Sequence, residues 1–209
     1  MFIAVSGNIG AGKTTLVTRL AQHFGGRAEL ESVSDNPYLN DFYQDMARWA
    51  FPLQIYFLSH RFEQAINVAS LPEPVILDRT IYEDAHIFAY NLYKSSYLSS
   101  RDYRNYHHLY ETMIDLVPPP DLVIFLKGSI TTLQQRIKQR HATQDSQRQN
   151  ENIIPEDYLR NLNECYERWI ATFSLSPVFT IDIDLVDLAE EQAFKQLLQN
   201  IEPYLPLAS

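Results

Sequence analysis

Short apolar runs alternate along the chain with longer stretches in which apolar positions recur at helical spacing, the pattern of buried strands and amphipathic helices taken in turn. Phe2–Ser6 reads as a first strand running into a glycine-rich loop. Lys13–Phe24 reads as a helix, with Leu16, Val17, Leu20 and Phe24 at helical spacing. Ala28–Glu31 is a short strand, Pro52–Val68 a helix with mixed faces, and Pro74–Leu77 a buried strand ending at Asp78. Helices are predicted over Asp84–Tyr93 and Asp102–Val117; the triplet Pro118–Pro120 stops the second and leads into a strand over Asp121–Lys127. A helix over Thr131–Arg140, a polar loop over His141–Asn152 and a helix over Pro155–Phe173, with proline in its first turn, come next. A strand over Val178–Ile183 and a closing helix over Leu188–Asn200 complete the pattern. With no internal repeat and no linker, this order predicts an α/β fold: a five-stranded parallel sheet flanked by helices, in a single domain over residues 1–209.

Composition narrows the class. Of the 209 residues 45% are hydrophobic and 21% charged, enough to bury a core, which excludes disordered, collagen-like and disulfide-scaffold classes. Cys165 is the only cysteine, so neither an intrachain disulfide nor a cysteine-based metal cluster can form. The formal net charge of −9 argues against a general nucleic-acid or membrane surface, since phosphate backbones require clustered positive charge. The opening residues carry no charged n-region and only a four-residue apolar run, and no segment is long enough to span a membrane. A cytoplasmic protein is expected.

The glycine-rich loop carries the clearest chemistry. Gly7-Asn8-Ile9-Gly10-Ala11-Gly12-Lys13-Thr14, followed by Thr15, fits the phosphate-loop pattern between a predicted strand and a predicted helix. Its backbone N–H groups would cradle a donor's phosphates at the helix's positive end, Lys13 would reach the β- and γ-phosphates, and the Thr14 hydroxyl would join a Mg²⁺ shell. The motif does not say what receives the phosphate. Two carboxylates, Glu31 and Asp78, fall at the ends of predicted strands, the side of an open α/β sheet that lines the ligand crevice. Asp78 is followed by Arg79, so an acid for Mg²⁺ and a cation for developing charge stand side by side. Gln54, Phe57, Leu58 and Arg61 share one helix face. Gln and Arg among apolar groups suit a pocket that stacks a flat base and hydrogen-bonds its edge. A surface salt bridge of Arg61 to Glu63 or Asp84, and plain core packing for Tyr43, Phe88, Trp49 and Trp169, are the alternatives.

Taken in order, GNIGAGKTT (7–15), Glu31-Ser32-Val33 with DNPYLNDFY (35–43), LQIYFLSHRF (53–62), DRTIYEDAHIF (78–88), and RIKQR with ENIIPEDYL (136–159) resemble the bacterial deoxyribonucleoside kinases that act on deoxyadenosine, deoxyguanosine and deoxycytidine. The resemblance spans most of the chain. It implies a P-loop kinase fold with an Arg-rich lid over about 136–152, ATP as donor, Mg²⁺ as cofactor, a deoxynucleoside substrate and a homodimer packed through helices beside the acceptor pocket. It places the general base for the sugar 5′-OH on Glu31, the arginine that orients it on Arg79, and the magnesium-side acid on Asp78. Tyr43 and Glu151 would hold the 3′-OH. Leu53, Gln54, Phe57, Arg61, Asp84 and Phe88 would surround the base, with Arg61 and Asp84 paired at its far edge. Arg136 and Arg140 match the first lid arginines; an insertion of about six residues in the spacing typical of the family would bring Arg148 into the same role. The turn carrying Asp182 and Asp184 would approach the donor base, largely through backbone. A purine acceptor, deoxyadenosine first, is the expectation.

Two other readings use the same phosphate loop. A thymidylate-type monophosphate kinase would need extra cations and no acid at Glu31. A non-catalytic nucleotide-dependent switch would need no acceptor chemistry, and the guanine-reading N-K-x-D segment is absent.

Overall fold

The near-continuous apolar runs of the strands fit a sheet buried on both faces, and the computed structural model, which describes residues 1–31, 36–68, 70–142 and 154–206, has that sheet. Its strands are β1 (Phe2–Gly7), β2 (Arg27–Glu29), β3 (Val75–Asp78), β4 (Leu122–Lys127) and β5 (Val178–Asp182). All neighbours are parallel, in the order β2-β3-β1-β4-β5. Every residue of β1 and β3 is buried. After β3 the chain crosses β1 to lay down β4 on its far side, so the strand order reverses around β1 and opens a crevice at its carboxyl end.

Side chains alternate across the sheet. Ile3, Val5, Ile76, Ile124 and Leu126 pack with α1 (Lys13–Phe24) and α9 (Glu191–Ile201). The other face meets α3 (Met46–Val68), α6 (Ser100–Ile114) and α8 (Glu156–Thr172). Phe125 of β4 stacks on Tyr166 of α8 with ring centres 5.7 Å apart. Among the described residues no helix is long and apolar enough to cross a membrane.

Several boundaries differ from the pattern-based expectation, each for a local reason. A short helix, α2 (Leu39–Gln44), precedes α3, and α3 begins at Met46, so Pro52 lies inside it instead of opening it. An interior proline costs about 3 kcal/mol; the flanking Ala50 and Leu53 are fully buried, and that packing outweighs the lost bond. The helix expected from Asp84 begins at α4 (Ile81–Glu83), where Thr80 and Glu83 form a reciprocal capping box. It continues through a π-helical turn (Asp84–Ala89) into α5 (Tyr90–Lys94). Helix α6 starts before Asp102, because Ser99 accepts a bond from the Asp102 N–H at 3.1 Å and caps it. Helix α7 runs over Ile130–Ala142. Pro155 is the residue before α8, not part of its first turn. A turn occupies the residues before Glu191, so α9 starts later than Leu188. Strand β2 stops at Glu29, which leaves Glu31 beyond it.

Gly26 precedes the edge strand β2, and a Cβ there would lie 2.3 Å from the Pro74 carbonyl oxygen, the group that accepts the Arg27 N–H at 2.7 Å. Gly26→Ala is therefore expected to destabilise the protein by about 1–3 kcal/mol, read as a lower urea midpoint at unchanged slope.

Candidate active site

The phosphate loop joins β1 to α1. Gly10 and Gly12 have φ of 84° and 92°, where a side chain is strained; a Cβ on Gly10 would also lie 2.7 Å from the Leu133 carbonyl oxygen. Asn8 fixes the loop from within and from behind. Its Oδ1 accepts the Ile9 N–H at 2.7 Å, and its Nδ2 donates to the Leu159 carbonyl at 2.9 Å and to Asn163 Oδ1 at 2.6 Å, both on α8. Lys13 donates to the Asn8 carbonyl at 3.0 Å. Burial, with the Arg79 guanidinium nearby, pushes its ammonium down to about 7; arriving phosphates would favour the charged form.

The Thr14 hydroxyl donates to Asp78 Oδ2 at 2.7 Å, while Asp78 Oδ1 is buried with no hydrogen-bond partner. An unpartnered carboxylate oxygen beside a hydroxyl, at the end of the loop that would hold phosphates, fits a Mg²⁺ bound mainly by phosphate and water. Thr14 and Asp78 are the residues placed to hold it.

A row of buried charges crosses the crevice. Glu31 Oε1 accepts from Arg61 Nη2 at 2.8 Å and from Arg79 Nε at 3.0 Å. Arg61 Nε pairs with Asp84 at 2.8 Å and its Nη1 donates to the Asp78 carbonyl at 3.1 Å. Arg79 Nη1 donates to the Gly7 carbonyl at 2.8 Å, approaches Glu83 at 3.5 Å and contacts the Tyr166 hydroxyl. Arg79 has φ 76°, a left-handed conformation that costs a non-glycine residue about 1–2 kcal/mol. Its N–H is tied to the Val5 carbonyl at 3.0 Å. The surrounding bonds hold that strain in place.

Glu83 closes the row and is fully buried. It accepts from the Ser6 hydroxyl at 2.7 Å, the Thr80 N–H at 2.9 Å and the Tyr166 hydroxyl at 2.7 Å. Sequence reasoning missed both Glu83 and Tyr166. The T-x-x-E capping-box spacing of Thr80 and Glu83 was the available signal for the first. No local pattern marks Tyr166, which meets Glu83 across more than eighty residues of chain.

Beside this row lies a narrow cavity of about 50 Å³. The structure brings Glu31, Tyr43, Leu53, Gln54, Phe57, Arg79 and Phe88 together in its walls, and adds Leu39, Phe42 and Tyr158. Gln54 is buried, and its Oε1 has no partner. Arg61 and Asp84 are not among the lining residues; both are buried, with Arg61 bonded to Glu31 and Asp84 bonded to Arg61. That volume is smaller than the several hundred Å³ of an ordinary small-ligand site.

On the opposite side of the loop a cavity of about 340 Å³ is lined by Gly10, Gly12, Arg136, Arg140 and the turn Asp187–Ala189. Arg136 donates to the Ala11 carbonyl at 3.1 Å and to the Ile183 carbonyl at 3.4 Å. Asp182 and Asp184 act locally: Asp182 Oδ1 accepts the Asp184 N–H at 3.0 Å, and the Asp184 carboxylate accepts the Ser129 N–H at 3.1 Å. Arg148, Glu151 and the greater part of the expected lid lie outside the described residues.

A parallel sheet in this order, with a phosphate loop at the end of its central strand and an acid held by arginines across from it, defines a P-loop phosphotransferase. The sequence pattern of the family described as Deoxynucleoside kinase matches residues 3–205. The chain belongs to the deoxynucleoside kinase family, and it is an enzyme that transfers a phosphoryl group. It is similar to the deoxyadenosine/deoxycytidine kinase of Bacillus subtilis, with 36% identity over 192 residues, 91% of this chain and 86% of that protein. It is equally similar, at 36% over 209 residues, to the deoxyadenosine kinase of Lactobacillus acidophilus, covering 97% of this chain and 95% of that one. Among solved structures, the deoxyadenosine kinase of M. mycoides with bound dATP superposes with a TM-score of 0.82 at 31% identity, over 96% of this chain and 99% of the other.

Glu83→Gln keeps the shape of the buried carboxyl but removes the charge facing Arg79 and turns one acceptor into a donor. A loss of about 3 kcal/mol is expected, measured by urea denaturation, with a fall in kcat as Arg79 loosens.

Proposed function

We propose that the enzyme phosphorylates the 5′-OH of a purine deoxyribonucleoside, deoxyadenosine first, with ATP as donor, in nucleotide salvage. The observation that carries this reading is Glu31: a carboxylate gripped by two arginines, facing a cavity whose walls, apart from Glu31 and Arg79, are aromatic, apolar or amide. A primary alcohol is a poor nucleophile, and a carboxylate within hydrogen-bond reach takes its proton as transfer proceeds. Arg79 fixes the carboxylate and meets charge on the transferring group, together with Lys13 of the loop and Arg136 and Arg140 of α7. Mg²⁺ beside Thr14 and Asp78 would neutralise donor phosphate charge. Arg148, as a lid residue, and Glu151, with Tyr43 at the 3′-OH, complete the assignment. The active unit is one kinase domain, cytoplasmic and homodimeric; Ile66 on α3 and Leu109 on α6, both exposed, support packing through those helices.

The charge balance favours a nucleoside over a nucleoside monophosphate. Glu31 stands in the wall of the acceptor cavity, where its carboxylate would repel an acceptor that already carries phosphate.

Gln54 suits a purine edge, and cytosine offers it the same edge as adenine. The unpartnered Gln54 oxygen can accept from the N6–H of adenine while the amide N–H meets N1, and the flipped amide matches guanine. The relatives include enzymes named for deoxyadenosine, deoxycytidine and deoxyguanosine. Arg61 lies behind the cavity wall, fixed by Glu31 and Asp84; if the base reaches it as the family resemblance implies, it would crowd a 5-methyl group, because moving it would strand buried carboxylates.

Glu31→Gln is expected to retain both substrates while kcat falls about 10²–10⁴-fold; near-normal turnover would remove Glu31 from the chemistry. Across the four deoxynucleosides, kcat/KM should be highest for deoxyadenosine and lowest for thymidine. A clear preference for thymidine would overturn the pocket assignment; deoxyguanosine first would correct only the choice between purines.

A further inference from the structure

Helix α1 starts at the phosphate loop, and Arg19 lies further along it. Its guanidinium reaches across to the turn before α9. Nη1 donates to the carbonyl oxygens of Leu188 at 2.6 Å and Ala189 at 2.9 Å, and Nη2 pairs with Glu191 at 2.7 Å. The guanidinium carbon sits 4.1 Å from the centre of the Phe194 ring.

As a stabilising device this placement is poor. A cation at the N-terminal end of α9 is opposed by the helix dipole. The ion pair it makes is with a Glu191 side chain that is 68% exposed, where such pairs contribute little. What the contacts do achieve is geometric: two consecutive backbone carbonyls are pinned to α1. The turn is closed from within by Asp187, whose Oδ1 accepts the Ala189 N–H at 3.0 Å and whose carbonyl accepts the Glu190 N–H at 3.1 Å. Leu185, just before it, is 83% exposed, while Val186 and Leu188 pack half-buried against the core and leave the turn's backbone carbonyls for Arg19.

The same residues, Asp187 to Ala189, wall the cavity of about 340 Å³ beside the phosphate loop, facing Arg136 and Arg140. That volume is within the range of small-ligand sites. One wall of the cavity is therefore the loop at the head of α1, and another is a turn whose backbone carbonyls are bonded to α1 through Arg19.

We propose that Arg19 is a positioning residue for the nucleotide donor, joining the wall against which the donor's base rests to the helix that carries the phosphate cradle. The proposal rests on the reading of the phosphate loop as the donor site. Arg19 touches neither the phosphates nor the acceptor cavity, so its loss should weaken the hold on the donor's base and leave phosphoryl transfer intact once the donor is seated.

The test is steady-state kinetics of Arg19→Met and Arg19→Lys with ATP and with GTP at saturating deoxynucleoside. For Arg19→Met the KM for ATP should rise about tenfold, the worth of a lost charged hydrogen bond. The ratio of ATP to GTP use should narrow, while kcat and the KM for the nucleoside stay within about twofold of wild type. Arg19→Lys should recover part of the ATP affinity, since an ammonium can reach one carbonyl but lacks the fork that spans two. An unchanged KM for ATP would overturn the proposal. So would a parallel loss of kcat and both affinities with a lower thermal midpoint, which would mark a structural brace. Lys13→Ala separates the two levels: if it abolishes turnover while Arg19→Met is silent, only the role of Arg19 fails. If Lys13→Ala retains ATP turnover, the donor reading fails and the proposal falls with it.

Discussion

Three carboxylates and two guanidinium groups alternate through the buried side of the crevice: Glu83, Arg79, Glu31, Arg61 and Asp84. Charges out of water are tolerable only when paired and hydrogen-bonded, so each member of the row constrains its neighbours. The requirement explains features that otherwise look unrelated. Arg79 accepts a left-handed backbone at the end of β3. Thr80 caps α4 through the same Glu83 that binds Ser6 and Tyr166. The chain then passes through a π-helical turn that carries Asp84 to Arg61 and Phe88 to the acceptor cavity. Helix α3 supplies Arg61 on one side of Glu31 and Gln54 on the cavity wall. A single ionic row thus links the sheet, four helical segments and the acceptor side.

The phosphate loop is tied to the same body by hydrogen bonds to amide and backbone groups. Asn8 binds α8 at Leu159 and Asn163, and Asn163 donates in turn to the Gly128 carbonyl at 2.9 Å. Arg79 reaches back to the Gly7 carbonyl. Donor cradle and acceptor acid are therefore held by overlapping sets of bonds, which is what in-line phosphoryl transfer requires of a protein that contributes mainly positioning and electrostatics. Lys13 enters this arrangement donating to the Asn8 carbonyl, with its ammonium destabilised by burial, so donor phosphates would supply the negative charge that favours its protonated form.

The sheet, the phosphate loop and the position of Asp78 at the end of a central strand were legible in sequence because each depends on local pattern: apolar runs, glycine spacing and an acid at a strand end; the pairing of Glu31 with Arg79 was implied by the family resemblance, and Glu31 itself lies two residues past β2. What was not legible depends on partners far along the chain. Pro52 looks like the start of a helix by local rules, and only the burial of Ala50 and Leu53 shows why α3 runs through it. The π-helical turn has no compositional mark. Arg61 reads as a pocket or surface residue from its helix face. Its contact with Glu31, thirty residues earlier, exists only in the fold. Glu83 carried a capping signal that says nothing of its place in the ionic row.

The central claim is that Glu31 serves an acceptor bearing a free hydroxyl and no phosphate. Phosphoryl transfer from ATP to deoxyadenosine, compared with transfer to deoxyadenosine 5′-monophosphate under the same conditions, tests it most directly. The account predicts turnover of the nucleoside to its monophosphate and none of the monophosphate to a diphosphate. Efficient phosphorylation of the monophosphate, with the nucleoside left unchanged, would contradict it.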